Sequence, residues 1–338
     1  MRDKTTLTIA IPTYNRAARL SKALSDLLRE LSGSANRESI QVLVSDNASP
    51  DSTSLVLKAA VAEFQRNSID FRTLRRLRND GPRVNALSCL MEADTDYVWL
   101  LSDDDNLLPG AVDVVYAQLR KWQPSVAIFE FNQGERQTDA SLDHDVIFQD
   151  TWIIPSVLTD LIDHPKLSRV IYGQERKETN ALDSANKSDY YPHVIAALEI
   201  GWRKGRILAA DFPVGAPDED FMDHIDFVPY VSGFLMQDVT EWARNRNITP
   251  AGLQTLVSSI GKPNVLSGSL SFLRQFENGK RFFPDATKRI LEENVARALR
   301  GNLVSSDGLK MQWTLKAFVH LVLLGLAKLK RVLSKSSI

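Results

Sequence analysis

Between residues 7 and 131, short apolar runs alternate with longer segments of helical periodicity. That alternation constrains the fold more than any other feature of the chain. Leu7, Ile9 and Ile11 alternate with Thr8 and Ala10, which reads as a strand broken by Pro12-Thr-Tyr-Asn15. Leu20, Leu24, Leu27, Leu28 and Leu31 recur at helical spacing and predict a helix over 17–31, ended by Gly33 and Ser34. Val42 and Val44 mark a second strand that runs out into Ser45-Asp-Asn-Ala-Ser-Pro-Asp51. That polar cluster offers N-caps to a helix whose apolar face includes Leu55, Ala59 and Phe64. A weaker strand over 69–74, a loop at 78–82 and a helix over 84–93 follow. The series closes with a strand at 97–101, a helix over 109–119 and a strand over 126–131. Strands and helices in this order imply right-handed crossovers and a largely parallel sheet with helices on both faces.

A parallel sheet binds its ligands at the carboxyl ends of its strands, and three such ends are polar here. They present Pro12-Thr-Tyr-Asn15, then Asp46 and Asn47, then Asp103, Asp104 and Asp105. Three adjacent carboxylates repel one another, and a nearby cation relieves the repulsion. Hard oxygen donors suit Mg²⁺ or Mn²⁺, which would in turn hold a diphosphate. A plainer role stands beside this one: Asp105 and Asn106 also suit a turn and the N-cap of a helix beginning at Pro109. Other nucleotide sites are excluded by their motifs. Strand one is followed by Pro-Thr-Tyr-Asn-Arg16, with no G-x-G-x-x-G, and no P-loop sequence or G-x-S-x-G elbow occurs.

The 338 residues suffice for a full core, as one large domain or as a domain plus an appendage. Acidic and basic residues nearly cancel, 42 against 41, which argues against a general nucleic-acid binder. Cys89 is the single cysteine, so no intrachain disulfide forms, and a reducing compartment is expected. No secretion signal and no membrane-spanning run is read, so a cytoplasmic protein is expected.

Ile9-Ala-Ile-Pro-Thr-Tyr-Asn-Arg16, Val44-Ser-Asp-Asn-Ala-Ser-Pro-Asp51 and Val98-Trp-Leu-Leu-Ser-Asp-Asp-Asp105, in this order and spacing, resemble the family 2 glycosyltransferases of GT-A fold. The resemblance covers residues 5–120. It implies a metal-dependent, inverting hexosyl- or deoxyhexosyltransferase that uses a nucleotide-diphosphate sugar, with UDP the expected nucleotide. Pro12, Thr13, Tyr14 and Asn15 would border the nucleotide. Asp46 would accept a hydrogen bond from the base, with Asn47 beside it, and Asn79 and Gly81 would lie close by. Asp105 and Asp103 would hold the Mn²⁺ or Mg²⁺, with Asp103 and Asp104 also toward the donor. Many family members carry a Glu-Asp pair as the source of the catalytic base, and this chain has Tyr191-Pro-His193 there instead. His193 is therefore the first candidate base, Asp189 the second and Asp218-Glu-Asp220 a third. A helix-start histidine bonded to backbone is the plainer alternative. Bacterial surface-polysaccharide enzymes of the family share the Tyr-Pro-His feature, which implies a glycan or lipid-linked saccharide acceptor.

The expected domains are a GT-A domain over 1–225, with a nucleotide half at 1–120 and an acceptor half at 121–225, and a helical region over 226–338. Within the acceptor half, 132–165 reads as polar and irregular apart from a helix at 152–162, 167–172 as a strand, 190–200 as a helix and 206–211 as a last strand. Beyond it, Trp242 and the stripe of Leu291, Val295 and Leu299 mark helices. Residues 310–335 mix apolar clusters with Lys316, Lys328, Lys330, Arg331 and Lys335. They read either as an amphipathic basic helix for peripheral contact with the inner face of the cytoplasmic membrane, or as an ordinary packing helix. Two alternatives of other kinds remain: a nucleotidyltransferase, and a non-catalytic nucleotide- or glycan-binding protein on the same fold.

Overall fold

The computed structural model describes residues 5–131, 144–147, 166–178, 181–188, 191–204 and 206–217, with short pieces at 238–239, 241–243 and 245–246. Two compact units divide the chain, Met1–Thr151 with Pro155–His224, and Trp152–Ile154 with Ile225–Ile338. Nearly every described residue belongs to the first. The expected helices at 152–162 and around 291–299, and the basic segment at 310–335, lie outside the described residues, as do Asp189 and Asp218-Glu-Asp220.

A nine-stranded sheet in the order β3-β2-β1-β4-β8-β6-β9-β5, with β7 paired to β9, organises the first unit. Its first four strands are β1 (Leu7–Thr13), β2 (Ile40–Asp46), β3 (Asp70–Arg75) and β4 (Tyr97–Leu100), all parallel. Helices α1 (Ala17–Gly33), α2 (Thr53–Arg66), α3 (Pro82–Glu92) and α4 (Ala111–Trp122) connect and flank them. β2 is buried along almost its whole length, as a central parallel strand covered on both faces must be.

Helix α1 buries Leu20, Leu24, Leu27 and Leu31 against the sheet, the expected stripe. In α2 the expected face is rotated. Thr53, Leu57, Ala60 and Phe64 are buried, a stripe of true helical period, whereas Leu55 and Ala59 sit off it and face solvent. Phe64 stacks on Phe71 of edge strand β3, with ring centroids 4.6 Å apart. Gly81 enters α3 at φ 87°, in the left-handed region that glycine tolerates, and Pro82 opens the helix.

Beyond β4 the strands reverse. β8 (Val170–Tyr172) is antiparallel to β4 and to β6 (Val126–Phe131), and β6 is parallel to β9 (Arg206–Pro217). β7 (His144–Ile147) and β5 (Asp105–Leu107) run antiparallel to β9. Neither short strand follows from sequence periodicity. β7 falls in a stretch expected to be irregular, and β5 in one expected to be a turn into a helix. Short helices α5 (Glu175–Glu178) and α6 (Ala181–Ala185) precede α7 (Pro192–Lys204). Among the described residues no helix is long and apolar enough to cross a membrane.

Candidate active site

The parallel register sets the site. Thr13 at the end of β1 lies opposite Asp46 at the end of β2, and the Leu101 amide beyond β4 donates to Ala10 O at 2.9 Å. All three polar strand ends therefore share one edge of the sheet.

Thr13 ties them together. Its carbonyl accepts from the Asn47 amide at 3.0 Å and from Asn85 Nδ2 at 3.1 Å, and its hydroxyl donates to Asp103 Oδ2 at 2.6 Å. Asn85, buried on α3, also donates to Ser45 O and accepts from Ser45 Oγ, locking β1 and β2 together beneath the cleft. Tyr14 stands exposed beside Thr13, while Pro12 still belongs to β1. Asn15 adopts φ 54°, which asparagine tolerates, and its amide donates to Ser49 Oγ at 2.8 Å.

Asn47 gathers the loop ahead of α3. Its Nδ2 donates to Asn79 Oδ1 at 2.7 Å and to Gly81 O at 3.1 Å, and its Oδ1 accepts from the Asp80 amide at 3.1 Å. Asn47, Asn79 and Gly81 thus meet. Arg78 Nε donates to Asp80 Oδ1 at 2.8 Å. Asp46 is fully buried, and both of its carboxylate oxygens already accept, one from the Ser49 amide and one from Arg75 Nη1, each at 2.9 Å. The register places Arg75 opposite Asp46.

The aspartates separate into two groups. Arg16, at the N-cap of α1, donates from a single nitrogen, Nη1, to Asp103 Oδ1 at 2.8 Å and to Asp104 Oδ2 at 2.7 Å. Arg19, one turn on, reaches Asp104 at 3.5 Å. Burial disfavours the Arg16 charge, but Asp103 and Asp104 more than offset it and its pKa is raised. Burial also raises the Asp103 pKa, against the lowering by Arg16 and the Thr13 hydroxyl.

Asp105 faces the other way. Its Oδ2 accepts from Ser168 Oγ at 2.5 Å, and the same hydroxyl accepts from the Ser102 amide at 2.8 Å. Ser168 belongs to the turn leading into β8, and its carbonyl is held by Trp99 Nε1 of β4. Burial, opposed by the Ser168 bond and aided by Asp104, pushes the Asp105 carboxyl up to about 6. Burial lowers the pKa of neighbouring Lys166, an effect that Asp105 opposes.

As a donor set these carboxylates fit a hard divalent ion. Two oxygens from different residues lie within 2.8 Å of one cationic nitrogen. Only a small inward shift brings both to the ~2.1 Å of a Mg²⁺–oxygen bond. No set of three His, Cys, Asp or Glu side chains converges as metal ligands among the described residues. Such an ion would take its remaining ligands from water or from phosphate.

His193 lies in the first turn of α7, whose direction follows from the topology. β9 runs in the direction of β4, so α7, which leads into it, descends from the carboxyl edge and starts there. Arg83 near the start of α3 donates to Asn186 Oδ1 at 2.9 Å, tying the α6–α7 turn to that edge. His193 is buried in the first turn of α7, where its carbonyl accepts from Tyr172 at 2.8 Å. The Tyr191 ring lies 5.9 Å from the imidazole.

Solved structures define the class of fold. The chain matches S. aureus TarS 1–349 in complex with UDP at a TM-score of 0.56, with 14% identity over 92% of this chain and 89% of that one. It matches the mannosyltransferase PcManGT from Pyrobaculum calidifontis, solved with GDP-Man and Mn²⁺, at 0.54, with 14% identity over 94% and 87% of the two chains. This is the GT-A fold. Residues 8–174, just under half of the chain, match the model described as Glycosyl transferase family 2. Among characterised relatives, a GalNAc(5)-diNAcBac-PP-undecaprenol beta-1,3-glucosyltransferase of Campylobacter jejuni is 29% identical over 110 residues, 32% of this chain and 33% of the relative. The abequosyltransferase RfbV of Salmonella typhimurium is 30% identical over 120 residues, 33% and 32% of the two. The similarity thus spans about a third of each relative.

Proposed function

We propose that the chain is a metal-dependent, inverting glycosyltransferase that moves a sugar from a nucleotide-diphosphate donor onto a lipid-linked saccharide in bacterial surface-polysaccharide synthesis. One observation carries the reading: Thr13, Asn47 with Asn79 and Gly81, and the carboxylates of Asp103 and Asp104 share a single strand edge. The family match supports the reaction class, and the polyprenyl-linked substrate named for the Campylobacter relative supports the acceptor class. UDP is the preferred nucleotide, since the TarS neighbour was solved with UDP and with UDP-GlcNAc.

In this reading Tyr14, Asn47 and the 79–81 loop hold the base and ribose, and Asp46 with Arg75 shapes the base pocket. Asp105 and Asp103 are the ligands that the resemblance implies for Mn²⁺ or Mg²⁺, and Asp104 joins them here because it already shares one cation position with Asp103, while Asp105 stands beside them on Ser168. The ion supplies charge neutralisation to the departing diphosphate. The acceptor oxygen bonds to the anomeric carbon as the bond to the β-phosphate oxygen breaks. The His193 imidazole takes the acceptor's proton from the opposite face. The basic segment at 310–335 would hold the protein against an anionic membrane surface where such acceptors lie.

A thermal-shift screen of UDP-, GDP- and CDP-sugars with and without Mn²⁺ tests the donor side, since a ligand of the native state raises its stability. One nucleotide sugar should raise the melting temperature only with metal, and Asp104→Ala should abolish the shift. No shift by any donor under either condition would sink the proposal.

A further inference from the structure

Arg16 stands where the proposed reaction needs a metal. One guanidinium nitrogen contacts an oxygen of Asp103 and an oxygen of Asp104 at 2.8 and 2.7 Å, so these two carboxylates are satisfied without any ion. A divalent ion needs the same two oxygens at ~2.1 Å, and it cannot share them with a like charge so close. The guanidinium must leave before the ion can bind. Its side chain is 35% exposed, which leaves room to move toward the cleft. A buried carboxylate pair stripped of its counter-cation is costly, and so is a displaced arginine with no new anion to meet. A nucleoside diphosphate supplies that anion, in a fork geometry that suits guanidinium. Arg19, already 3.5 Å from Asp104, adds a second positive charge on the same helix face.

We propose that Arg16 is a stand-in cation: it holds Asp103 and Asp104 in the free protein and releases them to metal only when a nucleoside diphosphate arrives to receive it. Arg16 is then a positioning residue that couples two ligands. Metal alone binds weakly because it must evict Arg16. Metal and nucleotide together bind well because eviction delivers Arg16 to the phosphates. By linkage each ligand strengthens the other by the same factor. The inference rests on the reading of this edge as a metal and nucleotide-sugar site, and its test separates the two.

Mn²⁺ alone, followed by electron paramagnetic resonance of the free ion, is titrated into the full chain, Arg16→Gln, Arg16→Lys and the pair Asp103→Asn with Asp104→Asn. The titrations are repeated with UDP, GDP and CDP. Arg16→Gln should bind Mn²⁺ alone about tenfold tighter than the parent, within the usual 5–150-fold range of such couplings. It should also lose most of the nucleotide-driven enhancement. The doubly substituted chain should bind no Mn²⁺ at this site. Equal Mn²⁺ affinity in parent and Arg16→Gln, with binding lost in the aspartate variant, overturns the role of Arg16 and leaves the metal site standing. No Mn²⁺ binding by any variant with any nucleotide overturns the metal reading and this inference together. Melting curves guard against a folding artefact. Mn²⁺ should raise the melting temperature of Arg16→Gln and leave the nucleotide-free parent almost unmoved, whereas a purely structural arginine would show no such difference. If Arg16→Gln does not fold, Arg16→Lys tests the other half of the role. One ammonium can still hold Asp103 and Asp104 against metal alone, but it should lose most of the nucleotide-driven enhancement. Full enhancement in that variant would overturn the transfer of Arg16 to the phosphates.

Discussion

Ala48 adopts φ 61° in the turn that follows Asp46 and Asn47. A left-handed alanine costs ~1–2 kcal/mol, and glycine avoids that cost while losing more backbone freedom on folding. Ala48→Gly should therefore gain about 0.5–1 kcal/mol, read as a higher urea midpoint at unchanged m-value. A lower midpoint would show that the turn is not strained. At His193 the expectation is catalytic. His193→Ala should lower kcat by ~10²–10⁴-fold, the usual worth of a general base, while metal-dependent nucleotide binding stays as it was. Normal transfer by that variant would return His193 to the plainer role of a helix-start residue. Single residues also divide by how visible they were beforehand. Thr13, Asn47 and Asp103 sit in motifs at strand ends, and their types and spacing led to them. Arg16, Arg75 and Asn85 did not stand out. Arg16 and Arg75 look like any exposed arginine until the register sets them against buried carboxylates, and Asn85 looks like a helix residue until α3 lies over β1 and β2.

Between elements, one buried arginine does the work of several caps. Arg176 of α5 is fully buried and donates to the carbonyls of Leu90 and Ala93 at the end of α3, of Thr95 before β4, and of Gly173. The last carbonyls of a helix have no partner within it, and here a side chain from a distant segment supplies one. Burial lowers the Arg176 pKa to about 10, so the group stays charged near neutrality. Arg176→Met would leave these acceptors bare, and a loss of about 3–5 kcal/mol is expected by chemical denaturation. Arg176→Lys should lose much of the same, because three donors on one nitrogen cannot span the set. A loss below ~1 kcal/mol for Arg176→Met would mean that water replaces the side chain. Helix α2 shows why periodicity alone misplaces a face. Leu55 invites burial by its type, but the stripe through Thr53, Leu57, Ala60 and Phe64 is the one that meets the sheet. Strand β5 has three residues, too few for any period to register, and its partner on β9 lies more than a hundred positions away.

Taken whole, the sheet changes grain at β4. On one side β3-β2-β1-β4 is parallel and was readable as strand–helix alternation. On the other, β6 and β9 pair parallel, but β5, β7 and β8, of three or four residues each, pair antiparallel across long connections, and local pattern carries little of that. The edge proposed to bind the donor belongs to the readable side. The lipid-linked acceptor proposed above would pose a further demand at this scale, since a nucleotide sugar is soluble and such an acceptor is not. The chain's basic, apolar segment at 310–335 meets that demand in composition, with Lys316, Lys328, Lys330, Arg331 and Lys335 among apolar clusters. Each basic group near an anionic leaflet is worth ~1 kcal/mol, so together they would hold the protein at the surface at low salt and release it as salt screens them. A chain ended at Gly308 should therefore bind anionic phospholipid vesicles at least ~100-fold more weakly than the full chain in co-sedimentation. Its Mn²⁺-dependent nucleotide binding should be unchanged, because Thr13, Asn47, Asp103 and Asp104 all precede the cut. Transfer to a lipid-embedded acceptor should fall while transfer to a detergent-dispersed one persists. Equal vesicle binding by both chains would remove the segment from this role.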